Sequence, residues 1–203
     1  RGRIDPETAG FDPLEEPIPL DLAEFTVGLA RAEDPASRLA ALDSPLPIFA
    51  RLRAALLQAR ALAERADVPR LGEMSTLRPG DSDPQVPVLR SVLRALGDMD
   101  DGVLVPANPN LYDNALAAAV KRFQERHGLD VDGVVGPASL RQLRVSPAER
   151  VQQIELAMER LRWLPRRFAA RSIVVNIPEF RLRAINDGEH LAMNVVVGKA
   201  ARQ

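Results

Sequence analysis

Two histidines, His127 and His190, are the only side chains of the chain whose ordinary pKa lies near neutrality, and cysteine is absent. They supply no H-E-x-x-H pair or other zinc pattern, and the lack of cysteine removes disulfides and thiolate nucleophiles. The sequence also contains no Ser-His-Asp spacing and no G-x-x-x-x-G-K-[ST] phosphate loop. We therefore expect no metal, no cofactor and no catalytic machinery in this chain.

The 27 basic and 28 acidic residues nearly cancel, which argues against nucleic acid as a partner. No apolar run approaches the roughly 18 residues that a membrane span requires. An arginine cluster surrounds the single tryptophan and comprises Arg160, Arg162, Trp163, Arg166, Arg167 and Arg171. We predict that Trp163, Arg166 and Arg167 dock this segment against a neighbouring domain. Contact with an anionic peptide or a membrane surface is the alternative.

The hydrophobic periodicity predicts helices as far as about residue 171 and strands after it. Residues 1–76 are expected to form part of a helical scaffold segment. Over residues 77–145 the hydrophobic pattern predicts three short helices. The first has an apolar stripe at Val86, Leu89, Val92, Leu93 and Leu96. Gly128 ends the second helix, Asp132-Gly133 forms a turn, and Gly136-Pro137 begins the third.

A capping box, Ser146 to Glu149, opens a predicted linker helix over residues 146–171. From Ser172 the period changes to 2, which predicts an antiparallel meander up to Val197 with a turn at Asp187-Gly188. Three strands with one apolar face and no second layer are an incomplete domain. We expect residues 172–203 to begin a truncated β-domain whose exposed strand edges could support a dimer.

The segments LRPGDSDPQVPVLRSVLRALGD and YDNALAAAVKRFQERHGLDVDGVVGPASLRQL resemble the peptidoglycan-binding-like three-helix module of bacterial cell-wall enzymes. The most specific part is the pattern A-V-x-x-F-Q-x-x-H-G-L-x-x-D-G-x-x-G-P, which runs from Ala119 to Pro137. The following ERVQQIELAMERLRWLP and the strands after it resemble the join to an L,D-transpeptidase domain. The larger periplasmic transpeptidases of Gram-negative bacteria have this arrangement, so the resemblance implies a periplasmic protein with peptidoglycan as its partner.

The family reaction uses a cysteine in a His-Gly-Cys motif, which forms a thioester with a stem peptide. This chain has no cysteine and lacks that motif. The resemblance therefore implies the scaffold and peptidoglycan-binding part of a cross-linking enzyme, truncated before its active site. The parent protein is expected to be an enzyme, and the chain itself is not.

Peptidoglycan binding would require polar groups that contact sugars and stem-peptide carboxylates, together with an aromatic platform. The candidates are Arg90, Arg94, Tyr112 and Asp132, since a guanidinium fork suits carboxylates. Each has a structural alternative: a solvated helix face for the arginines, packing for Tyr112 and a turn for Asp132. His127 is expected to contact terminal helix carbonyls rather than a ligand.

The expected fold class is mainly α with a small β part. Two functions stay open at this point. The chain is either a peptidoglycan-binding or positioning part, or a structural scaffold or protein-interaction module with no glycan affinity of its own. An exposed polar groove lined by Arg90, Tyr112 and Asp132 would favour the first. A groove filled by the scaffold helices or by Trp163 would favour the second.

Overall fold

The computed structural model describes residues 4–11, 20–104, 106–165, 168–177, 180–186, 189–196 and 198. Within these residues there are seven α-helices and one three-stranded antiparallel sheet, which confirms the predicted class, mainly α with a small β part. No helix in the described part of the chain is both long and apolar enough to cross a bilayer. The chain forms two compact units, which we call unit 1 (Arg1–Arg53 with Leu156–Gln203) and unit 2 (Ala54–Glu155).

A short 3₁₀ helix, Glu7–Ala9, precedes the longer elements. The helices and strands are α1 (Leu22–Ala30), α2 (Pro35–Ala40), α3 (Pro47–Ala63), α4 (Val86–Ala95), α5 (Asn114–Arg126), α6 (Pro137–Leu143), α7 (Pro147–Leu161), β1 (Arg171–Asn176), β2 (Arg181–Asn186) and β3 (Glu189–Asn194). Helices α3 and α7 each begin in one unit and end in the other.

Side-chain caps determine where several helices begin. The Asp113 carboxylate accepts a hydrogen bond from Leu116 N–H (2.9 Å) at the start of α5. At α7, Ser146 N–H and Oγ donate to Glu149 Oε2 (2.8 and 2.7 Å), and Glu149 N–H donates back to Ser146 Oγ (3.2 Å). This reciprocal pair confirms the predicted capping box. Gly128 follows α5 with φ +64°, as predicted for the residue that ends the helix.

The hydrophobic core of unit 2 is formed mainly by α4, α5 and α6. Its fully buried side chains are Val86, Leu89, Leu93, Tyr112, Leu116, Ala119, Val120, Phe123 and Val135. Two antiparallel bridges, Leu77 with Val135 and Ser82 with Leu111, join the segment before α4 to the segments around α5. The three helices are therefore fastened by backbone hydrogen bonds between loops as well as by apolar packing.

Unit 1 has a small core that includes Leu46, Phe49 and Met158. Its three strands pair in the order β1-β2-β3, with Ile173 opposite Ala184 and Ala184 opposite Leu191. The predicted meander is confirmed, and its Asp187-Gly188 turn lies outside the described residues.

The two faces of the sheet differ in polarity. The apolar face carries Ile173, Val175, Leu191 and Met193, which are 70%, 46%, 57% and 46% exposed. Side chains with this exposure contribute little to the core of unit 1, so the face is available for packing.

Candidate functional site

The loop between α5 and α6 is held by one buried side chain of α5. Gln124, only 2% exposed, accepts a hydrogen bond from Gly133 N–H at Oε1 (2.9 Å). Its Nε2 donates to Asp132 Oδ1 (2.8 Å), to Val134 O (3.0 Å) and to Ser139 Oγ (3.2 Å). A single amide therefore satisfies donors and acceptors along the whole turn, which fixes its conformation.

Tyr112 and Asp132, both predicted to bind ligand, meet at this same turn. The Tyr112 hydroxyl donates to Gly133 O (2.6 Å), and its side chain is fully buried. Burial and the nearby Asp132 charge raise the pKa of Tyr112 above its usual range. Asp132 Oδ1 accepts from Val134 N–H (2.8 Å), and this bond together with the one from Gln124 lowers the pKa of Asp132. Tyr112 thus contacts the loop backbone and presents no aromatic platform, whereas Asp132 remains exposed.

Arg90 lies inside unit 2, where it is 1% exposed. Its Nη2 contacts Asp113 Oδ1 (2.9 Å) and donates to Leu111 O (3.0 Å). Burial raises the pKa of Asp113, but the hydrogen bond from Leu116 N–H and the Arg90 charge outweigh this effect and leave that pKa below its usual range. The ion pair holds the first turn of α5 against α4, so the guanidinium is structural and sealed from a ligand.

Arg94 lies one turn further along α4, is half-buried, and donates from Nη2 to Val103 O (2.9 Å). It faces a groove in unit 2, unlike Arg90 and Tyr112. The structure therefore brings Tyr112 and Asp132 together at one turn and pairs Arg90 with Asp113, the residue after Tyr112. Arg90, Tyr112 and Asp132 do not line an exposed polar groove.

The groove that Arg94 faces has a volume of about 1400 Å³ and lies entirely within unit 2. Its walls are the second half of α3 with residues 65–71, the ends of α4 and α5, and the junction of α6 with α7. We call it the unit 2 groove. Apolar side chains contribute to its surface at Leu62, Val92, Phe123, Leu143 and Ile154.

The unit 2 groove is lined at the end of α5 by Arg126 and His127 and on α7 by Arg150. His127 Nδ1 lies 2.8 Å from Phe123 O, and the imidazole stacks on the Phe123 ring with centroids 4.0 Å apart. The contact with a last-turn carbonyl agrees with the sequence interpretation. Burial, followed by the charges of Arg126 and Arg150, lowers the pKa of His127 despite the bond to Phe123 O.

The predicted docking residues belong to unit 1. The Trp163 ring is half-buried and lies 5.7 Å from the Phe11 ring between centroids. Its Nε1 is buried without a hydrogen-bond partner among the described residues. Arg166 and Arg167 lie outside the described residues, so their docking role stays a prediction.

Sequence reasoning overlooked Gln124, Arg126 and Arg150 as functional candidates. Gln124 is the last residue of the A-V-x-x-F-Q pattern and follows the buried Phe123 directly, so the pattern could have identified it as a candidate. No sequence signal indicates that Arg150 and Arg126 line the same groove, because that depends on how the helices of unit 2 pack together. Within the described ranges, no group of three or more histidine, cysteine, aspartate or glutamate side chains could hold a metal ion.

Comparison with known proteins finds similarity for part of unit 2. Residues 82–143 match a family described as "Putative peptidoglycan binding domain". An alignment 81 residues long, which covers 37% of the chain, shows 38% identity to the N-acetylmuramoyl-L-alanine amidase CwlM of Mycobacterium tuberculosis (strain ATCC 25618 / H37Rv). The match spans only 20% of that protein's length. Residues 82–143 thus match a peptidoglycan-binding domain, and this match supports peptidoglycan as a partner of the chain and association with the cell wall.

Proposed function

We propose that the chain is the peptidoglycan-binding and positioning part of a cell-wall cross-linking L,D-transpeptidase. The observation that carries the proposal is the family match of residues 82–143. That range contains α4, α5, α6 and the loop fixed by Gln124, so the matched segment is also the best-packed part of unit 2. A module with a rigid loop and a buried core can hold a polymer at a fixed place.

The transpeptidase part of the proposal is supported by the elements on the C-terminal side of the module. A 15-residue helix, α7, leads to an antiparallel sheet, the order that the resemblance implies for the start of a catalytic domain. The exposed apolar face of that sheet fits a second layer packed on it. In this proposal, Trp163, Arg166 and Arg167 dock the linker against the catalytic domain, and the proposed location is the periplasm of a Gram-negative bacterium.

The proposed division of the chain follows from this function. Residues 1–76 form the scaffold segment, 77–145 the binding module, 146–171 the linker and 172–203 the first strands of the catalytic domain. The catalytic cysteine would belong to the parent enzyme, because this chain contains none. Strands β1 and β3 lie at the two edges of the described sheet, so we also propose that two copies can associate there.

A scaffold without glycan affinity is the second candidate, and one observation favours it. Arg90 and Tyr112, two of the four predicted ligand-binding residues, are both buried in the module. Retention on purified, protein-free sacculi separates the two functions, since a pure scaffold stays in the supernatant. The heat-unfolded chain serves as the control for nonspecific pelleting.

The enzyme assignment needs a separate experiment on the full-length parent protein. We expect it to join two stem peptides in isolated muropeptides, with cross-linked products detected by mass spectrometry. A thiol-alkylating reagent should abolish the products if a cysteine thioester is formed. Cleavage of the amide between sugar and peptide, without cross-linking, would contradict the transpeptidase assignment.

A further inference from the structure

The unit 2 groove is large enough to hold several residues of a polymer. Its volume of about 1400 Å³ exceeds the roughly 300–1,000 Å³ that is usual for a small-molecule pocket. It is walled partly by α3 and α7, which lie outside the matched range 82–143. The groove is therefore a feature of unit 2 as a whole and not of the three-helix module alone.

The side chains that line this groove carry an excess of positive charge. In the part of the chain that the structure describes, six arginines contribute to its surface, and they are Arg65, Arg70, Arg94, Arg126, Arg144 and Arg150. Among the described residues Glu149 is its single carboxylate, and that group already accepts the hydrogen bonds of the α7 capping box. Asp67 and Asp98 pair with Arg65 and Arg126 and neutralise two of the six. The positive charge that remains on the groove surface attracts an anionic ligand.

Arg150 is one of the groove arginines whose charge no carboxylate compensates among the described residues. It is half-buried, and its guanidinium donates to three uncharged oxygens: Gln153 Oε1 (2.8 Å), Gln142 Oε1 (3.2 Å) and Gln142 O (3.4 Å). No salt bridge to Arg150 occurs within the described part of the chain. Arg126 and Arg150 line the same groove, and burial together with the charge of Arg126 lowers the pKa of Arg150.

Arg126, which lines the same groove as Arg150, keeps donors available. Its Nε and Nη2 bind the two oxygens of Asp98, while Nη1 has no such partner in the described ranges and half of the side chain is exposed. A carboxylate between the two guanidiniums would relieve their repulsion and accept charge-assisted hydrogen bonds from both.

His127 adds an acceptor to this cationic site. A carbonyl oxygen can only accept, so the 2.8 Å contact with Phe123 O places the proton on Nδ1. The lowered pKa keeps the ring neutral at pH 7 and leaves the Nε2 lone pair available. An acceptor next to two cationic donors matches a peptide, which offers amide N–H groups next to its carboxylates.

We propose that the unit 2 groove binds the acidic stem peptide of peptidoglycan, with a stem carboxylate held between Arg126 and Arg150 and a peptide N–H donating to His127 Nε2. This inference rests on the proposed peptidoglycan-binding function. It assigns recognition to the peptide rather than to the sugar strand. The contact would lie in the unit 2 groove, to whose surface the buried Arg90 and Tyr112 do not contribute.

Calorimetric titration of the 203-residue chain tests the assignment with three soluble probes. They are stem tetrapeptide released from sacculi, the same peptide with its carboxylates amidated, and sugar strands stripped of peptide. We expect binding of the first, binding of the second that is at least tenfold weaker, and no binding of the third. Arg150→Gln should weaken tetrapeptide binding about tenfold to a hundredfold, the range of a lost charge-assisted hydrogen bond.

Arg141→Gln is the matched control, because it removes one positive charge from an exposed position of α6 outside the groove. Its affinity should stay within about twofold of wild type, as is usual for a surface site without contacts. Arg150→Lys keeps the charge without the fork, so we expect intermediate affinity and a folded far-UV spectrum.

The outcomes separate this inference from the function on which it rests. Retention on sacculi with equal peptide affinity for wild type and Arg150→Gln would overturn the groove assignment and leave wall binding intact. Retention on sacculi with binding of stripped sugar strands but not of the peptide would overturn it in the same way. Failure of the wild-type chain both to pellet with sacculi and to bind the peptide would overturn the function and the inference together.

Discussion

Replacing Gln124 with methionine removes the side chain that holds the α5–α6 loop. Methionine has similar length and helix propensity, so the change isolates the polar contacts. Gly133 N–H is buried and loses the side-chain acceptor that lies 2.9 Å away. Val134 O still accepts from Ser139 Oγ (3.3 Å), and Asp132 Oδ1 still accepts from Val134 N–H (2.8 Å). The main loss is thus the hydrogen bond of Gly133 N–H, a buried backbone donor that is left without an acceptor.

A stranded buried donor costs about 1–3 kcal/mol, and the lost Nε2 bonds add about 1 kcal/mol, which gives about 2–4 kcal/mol in total. Unit 2 runs from Ala54 to Glu155. A domain of about 100 residues unfolds with a free energy of roughly 5–15 kcal/mol, so the substitution removes a large share of the stability. The corresponding fall in Tm is roughly 10–20 °C.

The chain contains one tyrosine, so unfolding of unit 2 can be followed by itself. Tyr112 is buried in that unit, and 3-fluorotyrosine incorporation gives one ¹⁹F signal for each of its folded and unfolded states. Urea titrations of wild type, Gln124→Met and the exposed control Gln152→Met then yield the free energy of unfolding. A difference of less than about 0.5 kcal/mol between the two variants, the usual size for a surface change, would refute the role of Gln124.

Three further predictions concern the same unit. Asp113→Ala removes the α5 cap and leaves buried Arg90 without a carboxylate, so urea unfolding at pH 7 should show a loss of about 3 kcal/mol. Because the folded-state pKa of Asp113 is lowered, this difference should shrink as the pH falls below about 4. Gly133→Ala should cost about 1–2 kcal/mol at φ +75°, and Gly136→Ala, at φ −92°, should cost less in the same thermal melts. Burial raises the pKa of Tyr112, so unit 2 should lose stability as the pH rises above about 10, where the phenol ionises in the unfolded chain. In Tyr112→Phe, the free energy of unfolding should fall less steeply over this pH range.

Local sequence signals predicted the ends of the elements well. The Ser146–Glu149 box, the turn glycine at 133 and the terminating Gly128 all depend on backbone conformation within a few residues, and each appears as expected. Helix α4 begins at Val86 without such a signal, since its N-cap residue Gln85 makes no side-chain capping bond.

The candidate site was harder to predict, and Arg90 shows why. Arg90 lies four residues after Val86 and three before Leu93, so the helical period of α4 places it on the buried face. Its charge suggested an exposed position, but Asp113 on the next helix provides a partner inside the unit. Composition alone cannot reveal such pairing, since the two residues lie 23 positions apart in the sequence.

The unit 2 groove depends on contacts that are still more distant. Its walls combine α3 with α6 and α7, and Arg60 of α3 forms an ion pair with Glu155 of α7 (2.6 Å). No periodicity or turn signal specifies how separate helices pack together. The sequence therefore indicated the ligand class through its resemblance, whereas the groove with Arg126 and Arg150 emerges only from the fold.

Amide chemical shifts measure whether unit 2 binds peptidoglycan and which of its residues contact the ligand. A ¹⁵N-labelled sample of the chain would be titrated with soluble muropeptides released from sacculi. We expect saturable shifts in residues 54–155, concentrated around His127 and Arg150, with unit 1 unchanged. Absence of shifts at millimolar muropeptide, or shifts confined to unit 1, would contradict it.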